Sequence, residues 1–225
     1  MTLEQKWVRA NSNRDYNTDQ LIFTNRYSTP AAWPFMDQFD TSQPLRMMEI
    51  GCQEGRTSLY LLDKYLGNDN SEIFCLDLFP DSKFGMEANF DHNVKVSGVT
   101  DKVTKLKGPS WQSLRSIDEY ESFDLIYIDG WHGAHGVLDD AVLTWKLLKV
   151  GGIVVFDDYK WRPKGATDER CPRLAVDAFH SIYHIFLEEI VIGDGRQRAF
   201  KKLICNNDEV EHCGNVGGAS FVPNN

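Results

Sequence analysis

Asp129, Asp157 and Asp158 each stand where an apolar run stops. The first run is Phe123-Asp124-Leu125-Ile126-Tyr127-Ile128-Asp129, and the second is Gly152-Ile153-Val154-Val155-Phe156-Asp157-Asp158. Short apolar runs of this kind predict buried strands, and open α/β sheets place their ligands at the carboxyl ends of such strands. Carboxylates brought within ~4 Å of one another repel by about 4 kcal/mol per pair at an effective dielectric of about 20. Something cationic must offset that repulsion. Three oxygen donors, with no cysteine or paired histidine beside them, suit a hard divalent ion, Mg²⁺ (or Ca²⁺ or Mn²⁺), better than zinc. Taken singly, each acid could equally be a helix cap or a solvated strand end.

A second stretch with chemical content is Met48-Glu49-Ile50-Gly51-Cys52-Gln53-Glu54-Gly55-Arg56-Thr57. A strand runs into glycines and then into a helix start, where backbone can approach a ligand and free N–H groups favour an anionic group. The spacing of Gly51 and Gly55 is not the dinucleotide fingerprint, and no Gly-Lys-Ser/Thr phosphate loop follows. Glu49, just ahead of the first glycine, would repel a pyrophosphate but suits a cation. S-adenosylmethionine carries an amino group and a sulfonium, and Glu49 could engage its amino end. Asp77, closing the next apolar run, is placed to accept hydrogen bonds from ribose hydroxyls. The alternative is a tight strand–helix turn with two surface acids.

The elements that must position these residues follow from periodicity. Leu45–Ile50 reads as a strand, with a helix over about Thr57–Leu66. A short strand Ile73–Leu76 ends at Asp77, and a helix around Met86–Val96 and a strand near Val103–Leu106 come next. After the strand to Asp129, a helix is expected over Ala134–Lys149, with Val137, Leu138, Ala141, Val142, Trp145 and Leu148 on one apolar face. Beyond Pro172, Ala175, Ala178, Phe179 and Ile182 trace another helix. Leu187–Ile192 and Ala199–Cys205, separated by Gly193-Asp194-Gly195, read as a β-hairpin. The sum is an α/β fold: a doubly wound, seven-stranded, mostly parallel sheet closed by an antiparallel C-terminal hairpin. Residues 1–40 form an irregular extension and a possible lid through Asn25, Arg26, Tyr27 and Trp33. Residues 41–205 form the domain, and 206–225 a polar tail.

The 225 residues are 42% hydrophobic and 25% charged, ordinary for a globular chain. A net charge of −9 disfavours nucleic-acid backbones and anionic membranes as partners. The absence of a long apolar run and of a signal-like start points to the cytoplasm. The 5 cysteines are widely and irregularly spaced, which suits free thiols in a reducing compartment. His212-Cys213 with Glu209 or Glu211 could bind a metal, or lie in a solvated tail.

In order and wording the chain resembles a class I S-adenosylmethionine-dependent methyltransferase. It is most similar to the metal-dependent catechol O-methyltransferase group and its bacterial relatives that methylate sugars and macrolide glycosides. The likeness covers about residues 45–205 and rests on Met48–Thr57, Tyr127-Ile128-Asp129-Gly130-Trp131-His132, Leu147–Gly152 and Phe156-Asp157-Asp158-Tyr159. It implies a Rossmann-like fold with Glu49, Gly51, Gly55 and Thr57 at the cofactor loop and Asp77 at the ribose. Ser110 and Trp111 of Gly108-Pro109-Ser110-Trp111 would border the adenine, and Trp131 would pack on it, although an ordinary buried aromatic is the alternative there. Asp129, Asp157 and Asp158 match the metal ligands. The third is asparagine in the catechol enzyme and more often aspartate in the sugar-methylating relatives. His132 falls where those enzymes carry their base, with His135 in reserve. The implied reaction is direct methyl transfer to a hydroxyl of a small polyhydroxylated acceptor, a sugar or glycoside or a catechol-like diol. A homodimer is a family expectation. Two other readings stay open: a nicotinamide-dependent oxidoreductase, and a binding module that keeps the cofactor without catalysis.

Overall fold

A computed structural model describes residues 21–23, 33–80, 85–193 and 195–205. Seven strands form one sheet: β1 (Arg46–Ile50), β2 (Glu72–Asp77), β3 (Val103–Lys107), β4 (Phe123–Ile128), β5 (Leu148–Phe156), β6 (Leu187–Ile190) and β7 (Arg198–Lys202). Their order across the sheet is β3-β2-β1-β4-β5-β7-β6. The first five are parallel, and β7 lies antiparallel between β5 and β6. The chain therefore winds outward from β1 through β2 to β3, then returns to β4 on the other side of β1. That reversal opens a crevice at the carboxyl ends of β1 and β4, where such sheets bind ligands. The Rossmann-like expectation holds in full.

Among the described residues, five α-helices connect the strands: α1 (Arg56–Lys64), α2 (Met86–Val96), α3 (Ser110–Arg115), α4 (Ala134–Trp145) and α5 (Pro172–Tyr183). Strand side chains alternate between the two sheet faces, which divides the core in two. Met47, Leu125, Tyr127, Ile153 and Val155 pack with Leu59 and Leu62 of α1 and Phe90 of α2. Met48, Ile50, Ile126, Ile128, Val154 and Phe156 pack with Val137 and Ala141 of α4 and Val176 and Phe179 of α5. Residues 21–23 dock on α2, where Asn93 Oδ1 accepts from the Ile22 amide at 2.8 Å and Asn93 Nδ2 donates to the Ile22 carbonyl at 2.8 Å.

The structure departs from the periodicity reading in several places. The helix expected over Ala134–Lys149 stops at Trp145, and Leu148 already belongs to β5. Gly151, at φ 81°, and a register shift between Phe123 and Leu125 let β5 begin before the glycine pair rather than after it. Val142 and Ile182, assigned to apolar helix faces, are exposed. Helix α3 was not anticipated; a helix of 6 residues is too short for a periodic signal. Lys202, inside what reads as an apolar strand, is fully buried, and its ammonium donates to the carbonyls of Trp145, the last residue of α4, and Leu148, the first of β5. Asn25, Arg26 and Tyr27, and the tail with Glu209, Glu211, His212 and Cys213, lie outside the described residues.

Candidate active site

The register fixes the depth at which each strand releases its first loop residue. Ile50 pairs with Ile128, and Ile128 with Phe156. The ladder then continues one step: Asp129 N–H donates to Ile50 O at 2.9 Å, and Asp157 N–H donates to Ile128 O at 3.0 Å. Gly51, Asp129 and Asp157 consequently leave the sheet side by side.

Gly51 sits at φ 91°, with its N–H donating to Leu76 O at 2.8 Å. A Cβ there would lie 2.0 Å from the Asp129 carbonyl oxygen. Only glycine admits this approach of the β1–α1 loop to the β4 end. Gly55, at φ 81°, lies against the Phe90 ring, which a Cβ would meet at 3.0 Å. Asp77 closes the cradle from the β2 side: its Oδ2 accepts from Gln53 N–H at 2.8 Å and its Oδ1 from Phe79 N–H at 2.7 Å. Both oxygens keep a lone pair for a further donor.

Glu49 is 2% exposed and lies beneath this loop. Burial pushes its carboxyl up to about 8, against hydrogen bonds from Ser58 and Thr57 that favour the ionised form. A neutral, sealed carboxyl holds the start of α1 from below. In this structure its partners are those two hydroxyls rather than an open amino-group site, and Thr57 is committed to Glu49.

The acids at the ends of β4 and β5 come together. Burial, then the neighbouring charges of Asp157 and Asp158, hold the Asp129 carboxyl well above the usual carboxylate range. Tyr127 Oη donates to Asp157 Oδ2 and lies 3.5 Å from Asp129 Oδ2. Asp157 Oδ1 accepts from Asp158 N–H at 2.6 Å. Asp158 adopts φ 55°, a left-handed turn that swings its side chain toward His132, whose Nε2 is 2.6 Å from Asp158 Oδ2. The Trp161 ring stacks on the imidazole at 4.6 Å, and Trp161 N–H donates to Asp158 O at 2.7 Å. One ligand atom each from Asp129, His132 and Asp158 lies within 4.8 Å of the others. That spread fits around a cation bound at ~2.0–2.6 Å by each donor, and the two carboxylates suit a hard divalent ion. Asp157 falls outside this tightest group, with both oxygens already hydrogen-bonded. His135 is exposed on the first turn of α4.

The remaining sequence-predicted residues flank the crevice. Trp131 is 64% exposed and so is not a core aromatic. Its indole lies over Gly133 and Gly136, where added Cβ atoms would approach to 2.5 and 2.9 Å. Trp111 is 48% exposed at the start of α3, with the Arg115 guanidinium 5.7 Å from its ring. Ser110 donates to Asp140, an acid of α4 that is 1% exposed and raised to about 6 by burial. The sequence reading assigned no role to Tyr127, Asp140, Ser58 or Gln197, whereas Trp161 lies in the stretch Lys160–Arg170 that it offered as a second possible lid. A strand-parity count would have found Tyr127, which shares the face of Glu49 and Asp129.

Comparison with known proteins agrees with this geometry. The chain matches the family described as methyltransferase domain over residues 48–159. A curated relative, O-methyltransferase hkm8 of Aspergillus hancockii, is 29% identical over 117 residues, covering 52% of this chain and 44% of the relative. The chain spans less than half the length of that curated relative. The O-methyltransferase from Bacillus cereus, solved in complex with SAH, superposes with TM-score 0.59 at 16% identity, over 90% of this chain and 92% of the other. The SAH-bound methyltransferase PaMTH1 of Podospora anserina gives TM-score 0.55 at 21% identity, over 89% and 86%. At these identities the solved structures establish the shared fold. No described helix is long and apolar enough to cross a membrane.

Proposed function

We propose, starting from a chain that belongs to the class I methyltransferases, that it moves the methyl group of S-adenosylmethionine onto a hydroxyl oxygen with the help of a divalent cation. The observation that carries the reading is the convergence of Asp129, Asp158 and His132 within 4.8 Å, beside the Gly51 cradle at the reversal point of the sheet. The cradle suits an adenosyl donor: Asp77 keeps lone pairs for ribose hydroxyls, and Ser110, Trp111 and Trp131 would border the adenine side. The SAH bound by the structural neighbours supports the same choice. Asp129 and Asp158 would hold Mg²⁺, or Ca²⁺ or Mn²⁺, with Asp157 joining them through the lone pairs that its two hydrogen bonds leave. A bound cation supplies positive charge that draws paired acceptor oxygens close and favours their ionised form.

The chain's own groups do the rest. Because the Asp158 carboxylate can only accept, His132 Nε2 is the protonated nitrogen and Nδ1 carries the lone pair that takes the acceptor's proton. Trp161, stacked on the imidazole, fixes the plane of the ring and offers an apolar face to an acceptor ring. The acceptor class is a small diol: a sugar, a glycoside or a catechol. Aligning the attacking oxygen with the methyl group supplies much of the acceleration.

A second reading has a specific observation behind it: His132 belongs to the compact group and could be a ligand instead of the base. His132→Ala decides. Cation affinity unchanged with the pH–rate profile altered identifies a base, whereas a fall in affinity identifies a ligand. The reaction itself is tested with labelled S-adenosylmethionine and a panel of diols, with and without chelator. Asp129→Asn and Asp157→Asn should lower methyl transfer by about 100-fold or more while SAH affinity stays within about 3-fold. Full turnover in excess chelator removes the cation from the proposal.

A further inference from the structure

The mechanism above leaves a buried phenol unexplained. Tyr127 projects from β4 on the same sheet face as Asp129 and is 2% exposed. Its single proton has two carboxylates and one amide within reach: Asp157 Oδ2, Asp129 Oδ2 at 3.5 Å, and Gln197 at 3.4 Å. Which way it points is decided elsewhere. Trp33, just ahead of the 3-10 turn Pro34–Gln38, donates its indole N–H to Gln197 Oε1 at 2.8 Å. An indole nitrogen can only donate, so the Gln197 carbonyl must face Trp33 and its NH₂ must face Tyr127. With Gln197 Nε2 donating into Tyr127 Oη, the phenol proton is left for a carboxylate, and Asp157 receives it. The order continues outward: Asp157 Oδ1 accepts from Asp158 N–H, and Asp158 Oδ2 meets His132 Nε2. Trp33 also packs directly on Tyr127, ring centroids 5.2 Å apart.

We infer that Trp33, Gln197 and Tyr127 form a directional hydrogen-bond relay in which Tyr127 is the positioning residue that orients Asp157, and through it the Asp158 turn, for the divalent cation. The inference rests on the cation-dependent reading of the site and says how the ligands acquire their orientation. Donors that fix a carboxylate ligand commonly govern affinity by about 10- to 100-fold. The relay also joins three parts of the chain far apart in sequence: the segment before β1, the end of β4 and the entry to β7. The alternative role for Tyr127 is that of a core ring whose hydroxyl merely finds a partner.

Titration calorimetry with Mn²⁺ and Mg²⁺ on the full chain separates the two. Tyr127→Phe keeps the ring and removes the proton; it should weaken cation affinity about 10-fold with SAH affinity and Tm close to wild type. Gln197→Glu cannot donate to the phenol and should weaken cation affinity in the same direction, as should Trp33→Phe, which keeps the ring contact. Because the three act in series, Trp33→Phe added to Tyr127→Phe should cost little more. Unchanged cation affinity in both Tyr127→Phe and Gln197→Glu, each folded and binding SAH, overturns the relay while leaving the cation site intact. A wild-type chain that takes up neither Mn²⁺ nor Mg²⁺ overturns the cation reading, and the relay with it.

Discussion

Glu49 and the three aspartates are the same kind of side chain put to different uses by where they sit. Glu49 is sealed under the β1–α1 loop and stays neutral near pH 7, whereas the end of β4 concentrates acids around Asp129. The folded carboxyl of Glu49, at about 8, lies above its ordinary value of 4.5. Its contribution to stability is therefore fully present below about 4.5 and is lost as pH rises through about 8. Glu49→Gln cannot ionise, so it should remove that loss. Thermal melts from pH 5.5 to 9 should show wild-type Tm falling by several degrees more than that of the variant, at about 2–4 °C per kcal/mol for a chain of this size. Parallel curves would mean that Glu49 is ionised in the fold.

Among the elements, the ends matter more than the middles. β1, β4 and β5 stop within one residue of the same level, and their register delivers Gly51, Asp129 and Asp157 together. The glycine at that junction is a geometric requirement. Gly51→Ala meets the Asp129 carbonyl at 2.0 Å and holds φ 91°. Left-handed backbone alone costs an L-residue roughly 1–2 kcal/mol. The variant should lose SAH binding and melt several degrees lower. Gly67→Ala, with no atom within 4 Å and no positive φ, should be close to neutral in both measurements. Equal behaviour of the two would show that the loop does not need the close approach. The same scale explains the missed α3: 6 residues behind Pro109 carry neither a periodic stripe nor a capping side chain.

At the scale of the whole molecule, the winding order creates a crevice at the carboxyl ends of β1 and β4, and a ligand that binds there should stabilise the domain. SAH at about 100 times its Kd adds about 2.7 kcal/mol, which corresponds to a Tm increase of about 5–10 °C. NAD⁺ and NADP⁺ at matched concentration should give no shift. A shift with the nicotinamide cofactors and none with SAH would move the chain to the oxidoreductase reading.

The sequence by itself determined the strands, most of the helices and the residue types at the strand ends, because burial on both faces of a sheet leaves apolar runs that a reader can count. It also determined that Gly51 and the acids of Asp129, Asp157 and Asp158 stand where those runs end. It did not determine what each acid touches. Whether Glu49 faces a ligand or the Ser58 hydroxyl depends on which side of the loop the backbone passes. That Asp158 turns to His132 depends on a φ of 55°, and that Tyr127 gives its proton to Asp157 depends on an indole 94 positions earlier in the chain. Hydrogen-bond direction is a property of neighbours in space, and only the folded sheet brings those neighbours together.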